Sequence, residues 1–276
     1  MNTETHSQQC AFPVCFHIQP NQTMSRIVFI LTLAAFTFLR PPCADAGQRH
    51  YVYSYETLTA PKGSWEFEQW VTWKHGDVTG GDDRDRWEFR HEFEFGVTEK
   101  LQIGLYLADW QYDDDDSEGH HARYKGTGVE AIYNLTNPNT AFLGSAIYGE
   151  IVVGEDLLKL EGKLLLEKRF GPLSIVYNAV LEAEWEGSDL DEKTGEFQQT
   201  VGVSYDLSKS FSAGVEAFHE IEMPDWSETE SGRIFAGPNV SVRKGRFFGT
   251  LAWLWQVTHI EDEPDFQTRL IFGVDF

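Results

Sequence analysis

From Lys62 to Phe276 apolar and polar residues alternate at every second position, in runs separated by polar or glycine-containing breaks. The runs predict strands over 62–74, 86–96, 101–112, 123–135, 141–153, 158–170, 173–186, 196–207, 211–221, 232–243, 247–258 and 265–276. That makes twelve, an even number. Each is near or above the roughly 9–11 residues that a tilted strand needs to cross a bilayer, which is long for a soluble sheet. The last strand ends on the chain terminus itself, where Leu270, Phe272, Val274 and Phe276 stand in "QTRLIFGVDF" with no polar tail behind them. A terminal strand needs a partner, and a closed barrel supplies one by pairing the last strand with the first.

The breaks differ in character. After the first, third, seventh and ninth strands come "HGDVTGGDDRD", "DDDDSEGHHA", "GSDLDEKTG" and "EMPDWSETESG", whereas "VTEK", "TNPNT", "GP", "LSKS" and "KGR" follow even-numbered strands. Long outer loops and short periplasmic turns give this rhythm in outer-membrane barrels, although the fifth break, "GEDL", is short. The faces agree. One parity carries Trp65, Phe67, Val71, Trp73, Phe89, Phe93, Phe95, Leu101, Ile103, Leu105, Leu107, Leu160, Leu164 and Leu166, and the other carries Glu and Lys. A polar set so highly charged suits a barrel interior, with the apolar set against lipid. Trp73, Trp87, Trp185 and Trp255 fall towards the outer ends, and Phe95, Tyr133, Tyr205, Phe211, Phe247 and Phe276 towards the periplasmic ends, which predicts two aromatic girdles. Trp110 has the wrong parity and predicts a bulge. The expected fold is all-β: a transmembrane antiparallel up-and-down barrel of about twelve strands over 62–276, in the bacterial outer membrane.

The front end reads as targeting. From Met24, Arg26 precedes an apolar stretch Ile27–Leu39 and the small residues Ala44, Asp45 and Ala46, so 24–46 is expected to be a secretory signal peptide and 1–23 an over-long start. A lipid anchor at Cys43 fits less well behind Arg-Pro-Pro. Residues 47–61 are expected to form a periplasmic N-terminal segment. Cys10, Cys15 and Cys43 all lie within 1–46, so the remainder would hold no disulfide. That segment carries Arg26 and Arg40 against Glu4 and Asp45, so its removal leaves the net charge at -22. So acidic a chain lacks the basic face that nucleic acid requires, and its 14% aromatic content is too rich for a disordered acidic protein.

The stretches "YETLTAPKGSWEFEQWVTWK" and "RWEFRHEFEFGVTEKLQIGLYLADW", with the terminal "RLIFGVDF", resemble uncharacterised Gram-negative outer-membrane β-barrel proteins, including those loosely grouped with the phenol meta-pathway outer-membrane barrel family. The resemblance implies location and architecture, and it implies that Leu270, Phe272, Val274 and Phe276 are read by the barrel-insertion machinery. It implies no ligand.

Three chemistries can be weighed. A lipid hydrolase on the outer face would use His91 or His219, the latter with Gln199 as a neighbour, but no Ser stands two residues after either His. A calcium loop in "DDDDSEGHH" would place Asp114, Asp116, Glu118 and Gly119 at the first positions of an EF-hand, yet Lys125 stands where a bidentate Glu is required. His120 and His121 are adjacent and would face opposite ways on a strand, so no metal and no cofactor is expected. The lumen is more informative. Expected inward acids are Glu66, Glu68, Glu88, Glu92, Glu94, Glu130, Glu150, Glu161, Glu167, Glu182, Glu184, Glu186, Glu216 and Glu220, facing Arg86, Arg90, Lys159, Lys163, Arg169, Arg243 and Arg269. Two function classes follow: a narrow channel or transporter for small cationic or neutral solutes, or a non-conducting structural or surface-interaction barrel with an ion-paired interior.

Overall fold

A computed structural model describes residues 49–78, 82–115, 119–261 and 263–276. Twelve strands follow in order: β1 (Trp65–Val78), β2 (Asp82–Gly96), β3 (Leu101–Asp115), β4 (Gly119–Thr136), β5 (Gly144–Val153), β6 (Leu157–Phe170), β7 (Leu173–Glu186), β8 (Glu192–Ser208), β9 (Phe211–Pro224), β10 (Arg233–Lys244), β11 (Phe247–Gln256) and β12 (Phe266–Asp275). Each pairs antiparallel with its neighbours in sequence, and β12 returns to β1, so the sheet closes into a barrel. The seam runs from Glu66 opposite Asp275 to His75 opposite Phe266. Beyond it the Phe276 amide donates to the Trp65 carbonyl at 2.9 Å, and the Phe276 ring stacks on Trp65 with centroids 4.2 Å apart. The terminal alternation of Leu270, Phe272 and Val274 therefore continues to a terminus held by the first strand, as a closed up-and-down barrel requires.

The faces follow the alternation. On β5 the side chains of Ala146, Tyr148, Glu150 and Val152 are buried, while Ile147, Ile151 and Val153 are exposed. Elsewhere Leu181 is 64% exposed and Glu68 is 0% exposed, an inversion of the soluble pattern that suits a wall standing in hydrocarbon. Expected girdle residues come together at both ends. Trp73 stacks on Trp87 at 5.7 Å and meets Phe266, which also touches Trp255. At the turn end Trp65 lies between Phe276 and Phe95.

One irregularity that the sequence predicts, the bulge at Trp110, is present, and one departure from the sequence reading has a local cause. Around Trp110 the ladder slips: His91 opposes Ala108 and Glu92 opposes Tyr106, so Leu107 is an extra residue on β3. The bulge carries Trp110 to the outer face, where it packs edge-on against Tyr124 at 5.3 Å. The departure is at the loop end. Several breaks expected as long polar loops are the paired tips of strands: β1 runs to Val78, β2 starts at Asp82, β3 runs to Asp115 and β8 starts at Glu192. Polarity marks where the apolar belt ends; backbone pairing continues past it into water. The expected signal peptide over 24–46, the leading 1–23 and all three cysteines lie outside the described residues.

Candidate functional site

The segment from Arg49 to Pro61, expected at the periplasmic side, lies inside the barrel. Its strand-like alternation of Tyr51, Tyr53 and Tyr55 explains why. Three aromatic rings in sequence gain by leaving water, and a twelve-stranded wall encloses more space than its own side chains fill. Tyr51 and Val52 are each 1% exposed. Val52, Tyr53 and Tyr55 pack on Trp70, Phe218, Phe235 and Phe248, aromatic residues standing on the inner face beside Leu254 and Ile271. Tyr55 also meets Tyr148 at 5.2 Å. Gly63, at a φ of 81°, makes the reversal from lumen to wall, with its amide donating to the Gly96 carbonyl at 2.7 Å.

A chain crossing a lumen without a ladder must find partners for its backbone, and the wall side chains provide them. The Val52, Tyr53 and Ser54 amides donate to the Glu216 carboxylate at 3.0, 2.8 and 3.1 Å. Asn178 accepts from the Tyr55 amide at 2.6 Å and donates to its carbonyl at 3.0 Å. Glu167 accepts from the Thr57 amide at 2.9 Å, Asn134 donates to the Thr57 carbonyl at 2.6 Å, and Gln102 accepts from the Ala60 amide at 2.7 Å. Asn239 donates to the His50 carbonyl, and Ser241 and Thr250 donate to that of Arg49. Much of the inward polar set is thus a receptor for this segment.

His50 is its titratable anchor. Nδ1 lies 2.7 Å from Glu56 Oε1 and Nε2 lies 2.9 Å from Asp206 Oδ1, while Arg169 reaches Glu56 at 3.0 Å. Burial, the largest single influence, disfavours the imidazolium, but the charge and hydrogen bond of Glu56, followed by those of Asp206, outweigh it and raise the pKa from 6.5 to about 9. A group whose folded value lies above its unfolded value stabilises fully below the unfolded pKa. The His50 contribution is therefore complete below pH 6.5 and lost as pH rises through about 9. Thermal unfolding in detergent should show this loss between those values in the wild type and a flatter profile in His50→Gln. Equal slopes in the two would refute the anchor.

Above the segment lies a cavity of about 460 Å³. Its lining includes Glu88, Glu150, Glu161, Glu182, Glu184, Glu196, Glu220 and Glu222 with Lys74, Arg86, Arg90, Lys125, Lys159, Lys163, Arg233 and Arg269. Charges pair across strands and, on β6, along one strand. Arg90 binds Asp109 at 2.8 Å and Glu150 at 3.5 Å, with its guanidinium 3.8 Å from the Tyr106 ring centroid. Lys159 bridges Glu150 at 3.3 Å and Glu182 at 3.2 Å. Lys163 binds Glu161 at 2.9 Å, Lys74 binds Glu88 at 2.8 Å and Lys125 binds Glu186 at 3.2 Å. Arg269 donates to Thr72 at 2.8 Å and lies over Tyr53. Arg233 joins Glu220, Glu222 and Glu263, and Arg243 pairs with Asp275.

Of the other expected lumen residues, Glu68, Glu94, Glu130 and Arg169 stand towards the turn end and Arg86 towards the loop end. Glu68 accepts from Arg49 and Trp70, Glu94 from Gln102, and Glu130 from Tyr106. Arg86 pairs with Asp113, and Arg169 with Glu167 and Glu56. Register arranges many of these acids in one line. Glu66 opposes Glu94, Glu94 opposes Gly104, Gly104 opposes Glu130, and the series continues through Glu150, Glu161, Glu182, Glu196 and Glu222. Glu66 stands near the start of β1 and Glu222 near the end of β9, strands of the same direction, so the line climbs from the turn end to the loop end. Strand tilt causes the climb, and neighbours in the line are about 4.8 Å apart along the ladder.

The sequence reading places Glu66, Glu94, Glu130, Glu150, Glu161 and Glu182 inward but neither in a line nor together with Glu196 and Glu222, because the line depends on shear. It missed the inward aromatics Trp70, Tyr106, Tyr148, Phe218 and Phe235 and the ring triplet 51–55. An available signal was "YVYSYE", too aromatic to stay in water, together with rings on the charged parity. Among the described residues, neither His91 nor His219 has a serine as its cross-strand partner. His219 opposes Gln199 and Ile234, and His91 opposes Gln69 and Ala108. In the acidic tip Asp114 pairs with His120 at 2.9 Å, and Asp116 and Glu118 lie outside the described residues.

Residues 43–268 match DUF6662, a family of unknown function. No curated protein matches the sequence. Among solved structures, the COG4313 outer membrane channel from Pseudomonas putida F1 aligns with a TM-score of 0.64 at 10% identity, over 82% of this chain and 100% of its own. The NanC porin aligns at 0.51 with 8% identity, over 76% and 98%. The β domain of the Bordetella autotransporter BrkA aligns at 0.51 with 11% identity, over 78% and 100%. At such identities the shared property is the outer-membrane barrel fold.

Proposed function

The chain belongs to the DUF6662 family of unknown function, and from that premise we propose that it is a narrow outer-membrane channel for small cationic or neutral solutes, kept at low conductance by its own segment 49–61. The observation that carries this reading is the climbing line of carboxylates from Glu66 to Glu222. Carboxylates spaced along a low-dielectric wall concentrate cations and repel anions. A barrel needing rigidity alone has no use for acids aligned from end to end. The lysines and arginines between them neutralise part of the field and leave a polar path instead of a bare acidic one.

The reading assigns no reaction to the protein. Its partners would be outer-membrane lipid on the apolar face and, during assembly, the barrel-insertion machinery recognising the terminal aromatic strand. The COG4313 protein is named a channel, and its likeness to this chain supports the same reading without fixing a solute.

The test is conductance in planar bilayers under a salt gradient. Potassium should be preferred over chloride, and the combined change Glu182→Gln, Glu184→Gln, Glu186→Gln should weaken that preference, since Glu182 belongs to the line and Glu184 faces the same cavity. An anion preference would overturn the proposal. The filled lumen favours a second reading, a permanently closed structural barrel, which predicts no discrete conductance and a loss of thermal stability from the same triple change.

A further inference from the structure

We propose that Glu68, Glu92 and Glu94 form an internal binding site for a hard divalent cation of calcium's size, set in the wall beneath segment 49–61. Strand register brings the three together. Glu68 and Glu92 are directly opposite on β1 and β2, and Glu94 is two residues from Glu92 on the same face. One carboxylate oxygen from each lies within 4.8 Å of the others. Calcium takes oxygen ligands at about 2.3–2.6 Å, so donors on opposite sides of the ion stand about 4.8 Å apart.

The second observation is Glu92 itself. It is 1% exposed, and neither of its carboxylate oxygens has a hydrogen-bond partner. Its companions do have donors. Arg49 binds Glu68 at 2.7 and 2.8 Å and stands 3.8 Å from Glu94, Trp70 donates to Glu68 at 2.6 Å, and Gln102 donates to Glu94 at 2.6 Å. A buried carboxylate without a donor is strongly unfavourable, and three carboxylates against one guanidinium leave two negative charges uncompensated. A divalent cation supplies that charge; a single proton supplies half of it. Gly104 makes the space. A Cβ there would overlap Glu92 Oε1 and Glu130 Cγ, so the carboxylate line is interrupted by glycine where the cluster needs room, and the unpartnered Glu130 Oε1 faces from the far side. All donors are oxygens, which selects calcium or magnesium over transition metals, and the 4.8 Å spread favours the larger ion. A comparable group, Glu196, Glu220 and Glu222, differs in being only half-buried and in holding no buried carboxylate oxygen without a hydrogen-bond partner, since Arg233 binds Glu220 and Glu222.

The site is independent of conductance and can be tested on the closed barrel. Barrel purified in detergent, free of lipopolysaccharide, is stripped with chelator, equilibrated with radioactive calcium and passed through a desalting column. The wild type should retain one calcium per chain and lose thermal stability on chelation. Glu92→Gln should retain none and show no chelator effect, while Glu155→Gln, a change at an exposed residue between β5 and β6, should behave as the wild type. Heat-modifiable electrophoretic mobility reports whether each variant is folded. If Glu92→Gln does not fold, Glu94→Gln takes its place. Retention equal in wild type and the cluster variant, or none in the wild type, would overturn the site.

Discussion

Glu216→Ala will free segment 49–61 from the lumen and turn a barrel of low conductance into one with large, persistent openings. Glu216 is 1% exposed and accepts three consecutive backbone amides, those of Val52, Tyr53 and Ser54, as well as the Asn239 side chain. Alanine leaves these donors buried without an acceptor, and each orphaned group costs about 1–3 kcal/mol. Ordering the segment already costs about 1–2 kcal/mol per residue of backbone entropy, so a loss of this size tips it out. Two measurements separate the outcomes. Conductance per channel should rise, and protease should gain access to Arg49 and Lys62. Access without conductance would mean that the emptied lumen carries no ions, favouring the structural reading. A folded variant with neither change would refute the latch.

The second large effect is at Arg90. Its guanidinium binds Asp109 and Glu150 while lying over the Tyr106 ring, and the Glu150 side chain is 2% exposed. Arg90→Met preserves much of the bulk but strands the acids, and removing one partner of a buried ion pair typically costs about 3–5 kcal/mol. Lys159 still reaches Glu150, so Asp109 suffers most. The unfolding temperature in detergent should fall sharply in Arg90→Met and recover largely in the double variant Arg90→Met, Asp109→Leu, where no charge is left unpaired. A single variant as stable as wild type would show that water, not Arg90, compensates Asp109.

The strand number, the faces and the terminal pairing were legible because each depends on local alternation: a residue's face on a strand is set by parity, and parity is written in the sequence. Trp110 gave notice of its bulge for the same reason. Strand ends were misjudged where paired tips run on into water, since composition reports the surroundings of a strand and not its hydrogen bonds. The fate of "YVYSYE" was decided by tertiary structure, because its rings enter the lumen only once twelve strands have closed around more space than their side chains fill. The roles of the inward acids were decided there too. Parity put Glu92, Glu182 and Glu216 on one face, but cross-strand register and shear assigned one to a donorless cluster, one to the climbing line and one to the backbone of segment 49–61. Those assignments join residues far apart in sequence through the stagger of the whole closed sheet, a quantity that no single strand carries.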